Sequence, residues 1–305
     1  MKIFSSWNKL NFMKKEAIWG YLFIMPWIIG FLGLRLGPMI ASFFLSFTEY
    51  AIISPPKFVG LANYIKMFTS DPAFRDAIRV TLTYAIFAVP VGLSLSLMIA
   101  MLLNQKVPGV TVWRTIYYLP SVVSGVAVSM LWVWIFHSQF GLINVGLHAI
   151  GIQGPAWLGD PSWALPALII MSFWSIGGGM VINLAGLQGI PTELYEAASI
   201  DGANAWWRFW SVTIPMLSPV LFFNLVMGVI DTFQYFTNAF VMTAGGPGRS
   251  TMFYNLYLYQ NAFRYYKMGY ASALAWVMFL IILVLTLLIF KSSPYWVYYE
   301  GFRKR

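Results

Sequence analysis

The sequence predicts an all-α polytopic membrane protein with six transmembrane helices, and three observations support this fold class. Of the 305 residues, 59% are hydrophobic and only 10% are charged, whereas soluble domains average about 45–50% and about 25%. The apolar residues form continuous blocks that are long enough to cross a bilayer as helices. These blocks lack the strict alternation of a lipid-facing strand, which favours helices over a β-barrel. A soluble fold is therefore excluded.

The first predicted span, residues 17–48, follows a basic N-terminal tail of residues 1–16. The block carries no charge before Arg35 and stays apolar after it. An external loop of residues 49–76 follows, in which SPPKFVGLANYIKMF combines two prolines with an amphipathic stretch and predicts a short surface helix. A cleaved signal peptide is the alternative for the basic start, but the apolar block is far longer than an h-region.

Five further spans are expected within residues 77–290, which form the core of the predicted fold. Roughly 20 residues of helix, at about 1.5 Å each, cross a hydrocarbon core of about 30 Å. The five blocks are residues 80–105, 115–136, 161–192, 211–244 and 269–290. Residues 291–305 form the C-terminal tail.

The positions of the basic residues predict the orientation. With the N-terminus inside, 11 of the 19 Lys and Arg residues fall in inner segments and 6 in outer loops, while Arg35 and Arg79 lie in or beside helices. Cytoplasmic loops carry the excess of Lys and Arg in membrane proteins. Both termini are therefore expected in the cytoplasm.

The inner segment of residues 188–213 differs from a plain cytoplasmic turn. Acidic and alanine residues come first, Gly202 follows, and a tryptophan-rich stretch ends the segment. We predict two short helices joined at Gly202, because glycine lets the backbone turn. An acidic helix followed by an aromatic helix indicates a docking element for another protein. An interfacial helix resting on lipid is the alternative, but its acidic side chains have the wrong sign for an anionic leaflet.

Several segments resemble one known family. The run EAASIDGANAWWRFWSVTIPMLSP closely resembles the EAA signature of the permease subunits of binding-protein-dependent ABC importers. Further similar segments are LNQKVPGVTVWRTIYYLP, FGLIN, WLGDP, LAGLQGIP, TAGGPGRST and YNLYLYQNAF. The resemblance covers nearly all of the chain from Tyr21 to Phe290. It points to the carbohydrate subfamily, the branch of maltose and glycerol-phosphate permeases, and to its first-subunit type.

The resemblance implies the ABC type-1 transmembrane fold of type I importers and a defined set of partners. These are a second homologous permease subunit, two ATP-binding subunits, an extracytoplasmic solute-binding protein, and the lipid of a bacterial or archaeal inner membrane. In the family, the EAA element is a coupling helix that lodges in a cleft of the ATPase. The matching positions here are Glu196, Ala197, Ala198, Asp201 and Gly202.

Polar side chains in spans four and five are the candidates for a substrate path. In span five, five polar residues between positions 224 and 238 recur at helical spacing and predict one face of a continuous helix. An ionisable residue in a span favours a watery cavity or a paired position. Residues 172–186 of span four form a second small or polar face, for which helix packing is the alternative. The full set of candidates is Trp174, Ser175, Gly178, Asn224, Asp231, Thr232, Gln234, Tyr235 and Asn238.

Together these features predict a permease subunit of an ATP-driven sugar importer that forms half of the pathway for a mono- or oligosaccharide. The alternative is a secondary, ion-coupled transporter, which would use a network of intramembrane acids and inverted repeats. We expect no catalytic residues, because the sequence lacks a GxxxxGK[ST] phosphate loop. ATP and Mg²⁺ are thus expected on partner ATPase subunits, with no cofactor or metal on this chain. No basic stripe indicates nucleic-acid binding.

Overall fold

The computed structural model describes residues 11–105 and 108–298. Its helices are α1 (Phe12–Ser46), α2 (Ala62–Thr69), α3 (Pro72–Leu103), α4 (Val110–Val122), α5 (Gly125–Ile135), α6 (Leu142–Ala149), α7 (Pro161–Ser175), α8 (Gly177–Gln188), α9 (Thr192–Ile200), α10 (Ala205–Arg208), α11 (Ile214–Phe233), α12 (Thr237–Met242), α13 (Tyr254–Tyr259) and α14 (Met268–Trp296). A π-helical turn lies inside α1 (Phe31–Leu36), a second joins α10 to α11 (Phe209–Thr213), and a third follows α13 (Gln260–Arg264). Two short strands are β1 (Thr48–Glu49) and β2 (Lys57–Phe58).

The described part of the chain contains helices that match the six predicted spans. Four helical units, namely α1, α3, the α10 to α12 unit and α14, are long and apolar enough to cross a membrane. Two bent pairs supply the other two spans. The bend is 98° between α4 and α5, and 45° between α7 and α8. The predicted all-α, multi-pass fold class is confirmed.

The third and fifth predicted spans depart most from the continuous helices that the sequence indicated. The third span is a sharply bent pair, because Val123 adopts an extended conformation between α4 and α5. The fifth is interrupted after Phe233, where residues 234–236 leave the helix before α12 begins. The continuous polar face expected from 224 to 238 is therefore wrong beyond the end of α11.

Several boundaries also differ from the expected ones. Helix α3 begins at Pro72, inside the predicted external loop, because Asp71 caps it by accepting hydrogen bonds from the amides of Ala73 and Phe74. The rest of that loop contains α2, where a short helix was predicted, and the unpredicted antiparallel pair β1–β2. Helix α14 continues to Trp296. The predicted tails, residues 1–16 and 291–305, lie partly outside the described residues.

The first helix has almost no buried side chains of its own. Ser46, in its last turn, is the one buried residue in α1. The C-terminal part of α1 packs along α14, where the rings of Phe43 and Trp276 lie 4.9 Å apart. The Trp276 indole also donates a hydrogen bond to the Ser42 hydroxyl at 3.2 Å. A helix that exposes nearly all of its apolar surface is suited to lipid or to another subunit.

The remaining helices enclose two apolar clusters. The larger one joins the N-terminal half of α3 to α7, α13 and α14, and it includes the fully buried side chains of Tyr254 and Leu274. The smaller one joins the C-terminal half of α3 to α8 and α11 through Met180 and Leu217. Helix α3 thus runs through both clusters and positions α7, α8 and α11 around it.

Candidate functional site

A cavity of about 550 Å³ lies where α3, the α7–α8 pair and α11 meet. We call it the central cavity. Its volume falls within the range of about 300–1,000 Å³ that is typical of small-molecule sites. The polar residues that line it are Tyr84, Ser96, Ser172, Ser175, Asn224, Asp231, Thr232 and Tyr235. Phe173, Phe223 and Met227 contribute apolar wall.

The central cavity brings together most of the candidate path residues. Those that line it are Ser175, Gly178, Asn224, Asp231, Thr232 and Tyr235. Both helices that flank the Thr192–Arg208 region therefore contribute to the same space. The carboxylate of Asp231 is exposed and makes no hydrogen bond or ion pair with the described residues, so it is available to a ligand.

Trp174, Gln234 and Asn238 do not line this cavity. The Asn238 amide points instead towards Met171, with its nitrogen 3.8 Å from the sulfur. Trp174 packs edge-on against another indole at a ring distance of 6.0 Å. Gln234 lies in the break after α11, where its carbonyl accepts a hydrogen bond from Asn255. The interruption of the helix at 234–236 turns Gln234 and Asn238 away from the face predicted for them, whereas Trp174 lies at the end of α7.

A chain of hydrogen bonds crosses the base of the cavity. The Asn224 amide donates to the Asn183 oxygen at 2.9 Å, and the Asn183 amide donates to the Ser96 hydroxyl at 3.0 Å. The Ser96 hydroxyl donates in turn to the Leu93 carbonyl at 2.9 Å. Asn183 is fully buried. The chain therefore ties α11, α8 and α3 together with polar groups that lipid could not satisfy.

An aromatic wall closes the other end of the cavity. The rings of Tyr84 and Tyr235 lie 4.7 Å apart, and Phe253 packs 5.1 Å and 4.6 Å from them respectively. Ring faces and hydroxyl groups next to a carboxylate and hydroxyl side chains form a surface that fits a polyhydroxylated ligand.

Tyr84 and Ser96 are not among the predicted path residues, because the second span contains no charged residue that would mark it. A signal for them is present in the sequence. Tyr84, Ala88, Gly92 and Ser96 follow one another at intervals of four, which places small and polar residues on one face of a helix. All four line the central cavity.

The Thr192–Arg208 region forms the two short helices that the sequence predicts. Gly202 has a φ of +79° and makes the turn between α9 and α10, in the left-handed region that glycine adopts without strain. Asn204 caps α10 by accepting a hydrogen bond from the Trp207 amide. The coupling candidates Glu196, Ala197, Asp201 and Gly202 are exposed, and Ala198 is half-buried.

Side-chain hydrogen bonds fasten α9 to α10 and to the π-helical turn that precedes α11. The hydroxyl groups of Tyr195 and Thr213 lie 3.0 Å apart, and the Arg208 guanidinium donates to the Ser199 hydroxyl at 3.0 Å. Two indoles of α10 extend outwards, with Trp206 68% and Trp207 65% exposed. Such an exposed apolar patch next to acidic residues is suited to a protein partner. Within the described residues, no group of three or more acidic or histidine side chains could hold a metal ion.

Comparison with known proteins identifies the family. Residues 92–293 match the family described as binding-protein-dependent transport system inner membrane component. The probable ABC transporter permease protein YesP of Bacillus subtilis (strain 168) is 47% identical over 298 residues, which cover 96% of each chain. The trehalose/maltose transport system permease protein MalF of Thermococcus litoralis is 34% identical and covers 94% of this chain and 97% of its own. The chain belongs to this family, as its resemblance to ABC importer permeases predicted.

A solved structure shares the fold. It is the crystal structure of a bacterial alginate ABC transporter in complex with an alginate pentasaccharide-bound periplasmic protein. One of its chains superposes with a TM-score of 0.82 at 24% identity, covering 92% of this chain and 95% of that one. The likeness confirms the permease fold of the present chain.

Proposed function

We propose that this permease subunit forms half of the path of an ATP-driven importer for a neutral mono- or oligosaccharide, and that the sugar passes through the central cavity. The observation that carries the proposal is the lining of that cavity, in which hydroxyl, amide, carboxylate and ring groups converge inside an apolar helix bundle. A sugar that leaves water needs replacement partners for its hydroxyl groups. The names of the related permeases, one of them for trehalose and maltose, support the same class of substrate.

Asp231 gives the cavity a negative charge and an acceptor for sugar hydroxyl groups. Tyr235 supplies a ring, and Asn224, whose amide nitrogen donates to Asn183, supplies its side-chain oxygen as an acceptor. These groups resemble the donors, acceptors and stacking faces that sugar sites use. An anionic substrate would be repelled by the carboxylate of Asp231, so the proposal favours neutral sugars.

Coupling to ATP hydrolysis is proposed to occur through the exposed face of α9. ATP and Mg²⁺ would bind to two partner ATPase subunits, a second permease would complete the path, and a solute-binding protein would deliver the sugar from outside. In this arrangement both termini and the α9–α10 turn face the cytoplasm. Glu196 and Asp201 would contact basic groups of the ATPase, and Gly202 would hold the turn.

A secondary transporter is the alternative. Such a protein would need several ionisable groups along its path to bind coupling ions. Among the described residues that line the central cavity, Asp231 is the one with a carboxylate. The observations therefore favour the ATP-driven subunit.

The complex reconstituted in liposomes, with binding protein outside and ATP inside, tests the path. Replacing Asp231 by leucine should lower kcat/KM for uptake by about 5- to 150-fold, which corresponds to about 1–3 kcal/mol for one unsatisfied sugar hydroxyl. Assembly and basal ATP hydrolysis should stay unchanged, because Asp231 lies far from α9 along α11. Asp231→Asn is the matched control, since the amide keeps an acceptor. Full uptake by the leucine variant, or uptake driven by an ion gradient without ATP, would overturn the proposal.

Reporter fusions test the orientation. Fusions after Ser6, within residues 153–159, near Asp201, within residues 246–250 and at Arg305 should report inside, outside, inside, outside and inside. An external signal at Asp201 would contradict both the orientation and the docking role of α9.

A further inference from the structure

A second cavity, of about 750 Å³, lies between α3 and α7 and beneath the loop of residues 248–250. We call it the lateral groove. Of the described residues, Phe173 alone lines both cavities, and it stands between them. The groove occupies the ends of α3 and α7 that lie away from the α9–α10 turn. Ile170 and Phe87, which line it, are 40% and 55% exposed, so the groove is open along one side of the bundle.

The polarity of the lateral groove changes from one end to the other. Its outer end carries Asp76, Arg79 and Arg249, whereas its deep end is lined by apolar side chains such as Val91 and Ile170. A path for a sugar would need polar groups along its whole length, because an unpaired hydroxyl against apolar walls is costly. This change from charged to apolar lining instead matches a molecule with a charged head and an apolar tail.

The charges at the outer end leave one cation without a partner. The Arg249 guanidinium lies 3.1 Å from the Asp76 carboxylate, and this ion pair is about half exposed. Arg79 makes no hydrogen bond or ion pair with any described residue. The net charge of these three groups is therefore +1. A packed helix of another subunit would bury Arg79, which is unfavourable unless that helix supplies an acidic side chain.

The length of the groove fits one leaflet of the bilayer. The step of twelve residues along α3 from Arg79 to Val91 rises about 18 Å. Half of a hydrocarbon core of about 30 Å is about 15 Å. Helix α3 thus places Arg79 at the depth of the lipid headgroups and Val91 near the centre of the bilayer.

We infer that the lateral groove binds one anionic phospholipid from the leaflet opposite the α9–α10 turn. Its phosphate accepts hydrogen bonds from Arg79 beside the Asp76–Arg249 pair, and one acyl chain lies against Phe87, Val91 and Ile170. The inference depends on the membrane-spanning fold and not on the sugar path, so the two proposals can fail separately.

Lipid retention by the purified complex tests this site. The complex is assembled in nanodiscs of phosphatidylglycerol and phosphatidylcholine, transferred to detergent, and analysed by native mass spectrometry for bound phosphatidylglycerol. Arg79→Gln should lower the apparent affinity about fivefold, the effect of about 1 kcal/mol for one basic group near a lipid surface. Arg264→Gln, an exposed arginine outside the groove, is the matched control and should retain the lipid.

A second variant fills the apolar end without touching the charges. Ile170→Trp should abolish retention, whereas Leu287→Trp, an exposed position on α14 outside the groove, should not. A photoreactive residue at position 170 should form adducts with phospholipid. Equal retention by all four variants, no preference for phosphatidylglycerol over phosphatidylcholine, or adducts of position 170 with the second permease subunit would overturn the inference.

Discussion

Replacing Asn183 by leucine tests whether the hydrogen-bond chain holds the cavity helices together. Leucine has nearly the same size, so the change removes the amide without opening a large void in the bundle. Asn183 is fully buried and bonds to Asn224 at 2.9 Å and to Ser96 at 3.0 Å. Both hydrogen bonds are lost in the variant. Ser96 keeps its bond to the Leu93 carbonyl, whereas the Asn224 amide loses its partner.

The expected cost follows from these contacts. Interhelical hydrogen bonds in membranes contribute about 0.6 kcal/mol on average and at most about 1.7 kcal/mol. Two lost bonds therefore correspond to about 1–3 kcal/mol of unfolding free energy. In a double-mutant cycle with Asn224→Leu, the coupling energy should be about 0.6–1.7 kcal/mol, because the two side chains share one bond.

Denaturant titration of the purified complex, followed by intrinsic fluorescence, measures the unfolding free energy of each variant and the coupling energy between Asn183 and Asn224. Ser94→Ala is the control, since the Ser94 hydroxyl is exposed and bonds only within its own helix. If Asn183→Leu is as stable as the wild type and its coupling to Asn224→Leu is zero, the chain does not hold the three helices together and the reasoning fails.

Three further predictions concern other elements. Gly186→Val should lower the thermal midpoint of the complex and Gly20→Val should not, because a Cβ at Gly186 would lie 2.6 Å from a Leu217 methyl group while Gly20 faces open space. Gly202→Val should abolish substrate-stimulated ATP hydrolysis while Gly202→Asn retains it, because the left-handed turn costs a β-branched residue the most; normal stimulation of the valine variant would contradict this. Burial alone would raise the pKa of Asp71, but hydrogen bonds from two tyrosine hydroxyls and from the amides that it caps hold that pKa below its ordinary value. Ionised Asp71 therefore stabilises the fold above about pH 4, and this stabilisation is lost as the pH falls further. The thermal midpoint of the wild type should then drop more steeply below pH 4 than that of Asp71→Asn, and parallel profiles would refute the assignment.

The spans were predictable from the sequence because side chains that face lipid must be apolar. Continuous apolar blocks therefore gave the number of spans and their order. The turn at Gly202 was predictable for a local reason, since a glycine between a helix-forming run and an aromatic run predicts a change of direction. These features depend on neighbours in sequence and need no knowledge of tertiary contacts.

The features that the sequence did not reveal depend on distant residues. The helix break at 234–236 occurs in the run FQYF, which has no glycine or proline, and it coincides with the packing of Tyr235 against Tyr84 and Phe253. Tyr84 comes from another span, and Phe253 lies beyond α12 and the loop that follows it. The strands β1 and β2 have two residues each, too few for a periodic pattern. Tertiary contacts thus decided where the polar residues of the fifth span point.

Helix α11 connects the proposed ATPase contact at α9 with the central cavity. Thr213, directly before the first residue of α11, bonds to Tyr195 of α9, and Asp231 near the other end of α11 lines the central cavity. The step of seventeen residues from Ile214 to Asp231 rises about 26 Å as a continuous helix. A helix of this length transmits a tilt at its base as a displacement at its far end, so a movement of α9 in an ATPase cleft would change the shape of the cavity. Because the helix ends at Phe233, such a displacement would act on the part of the span that carries Asn224 and Asp231 and would not pass through continuous helix to α12.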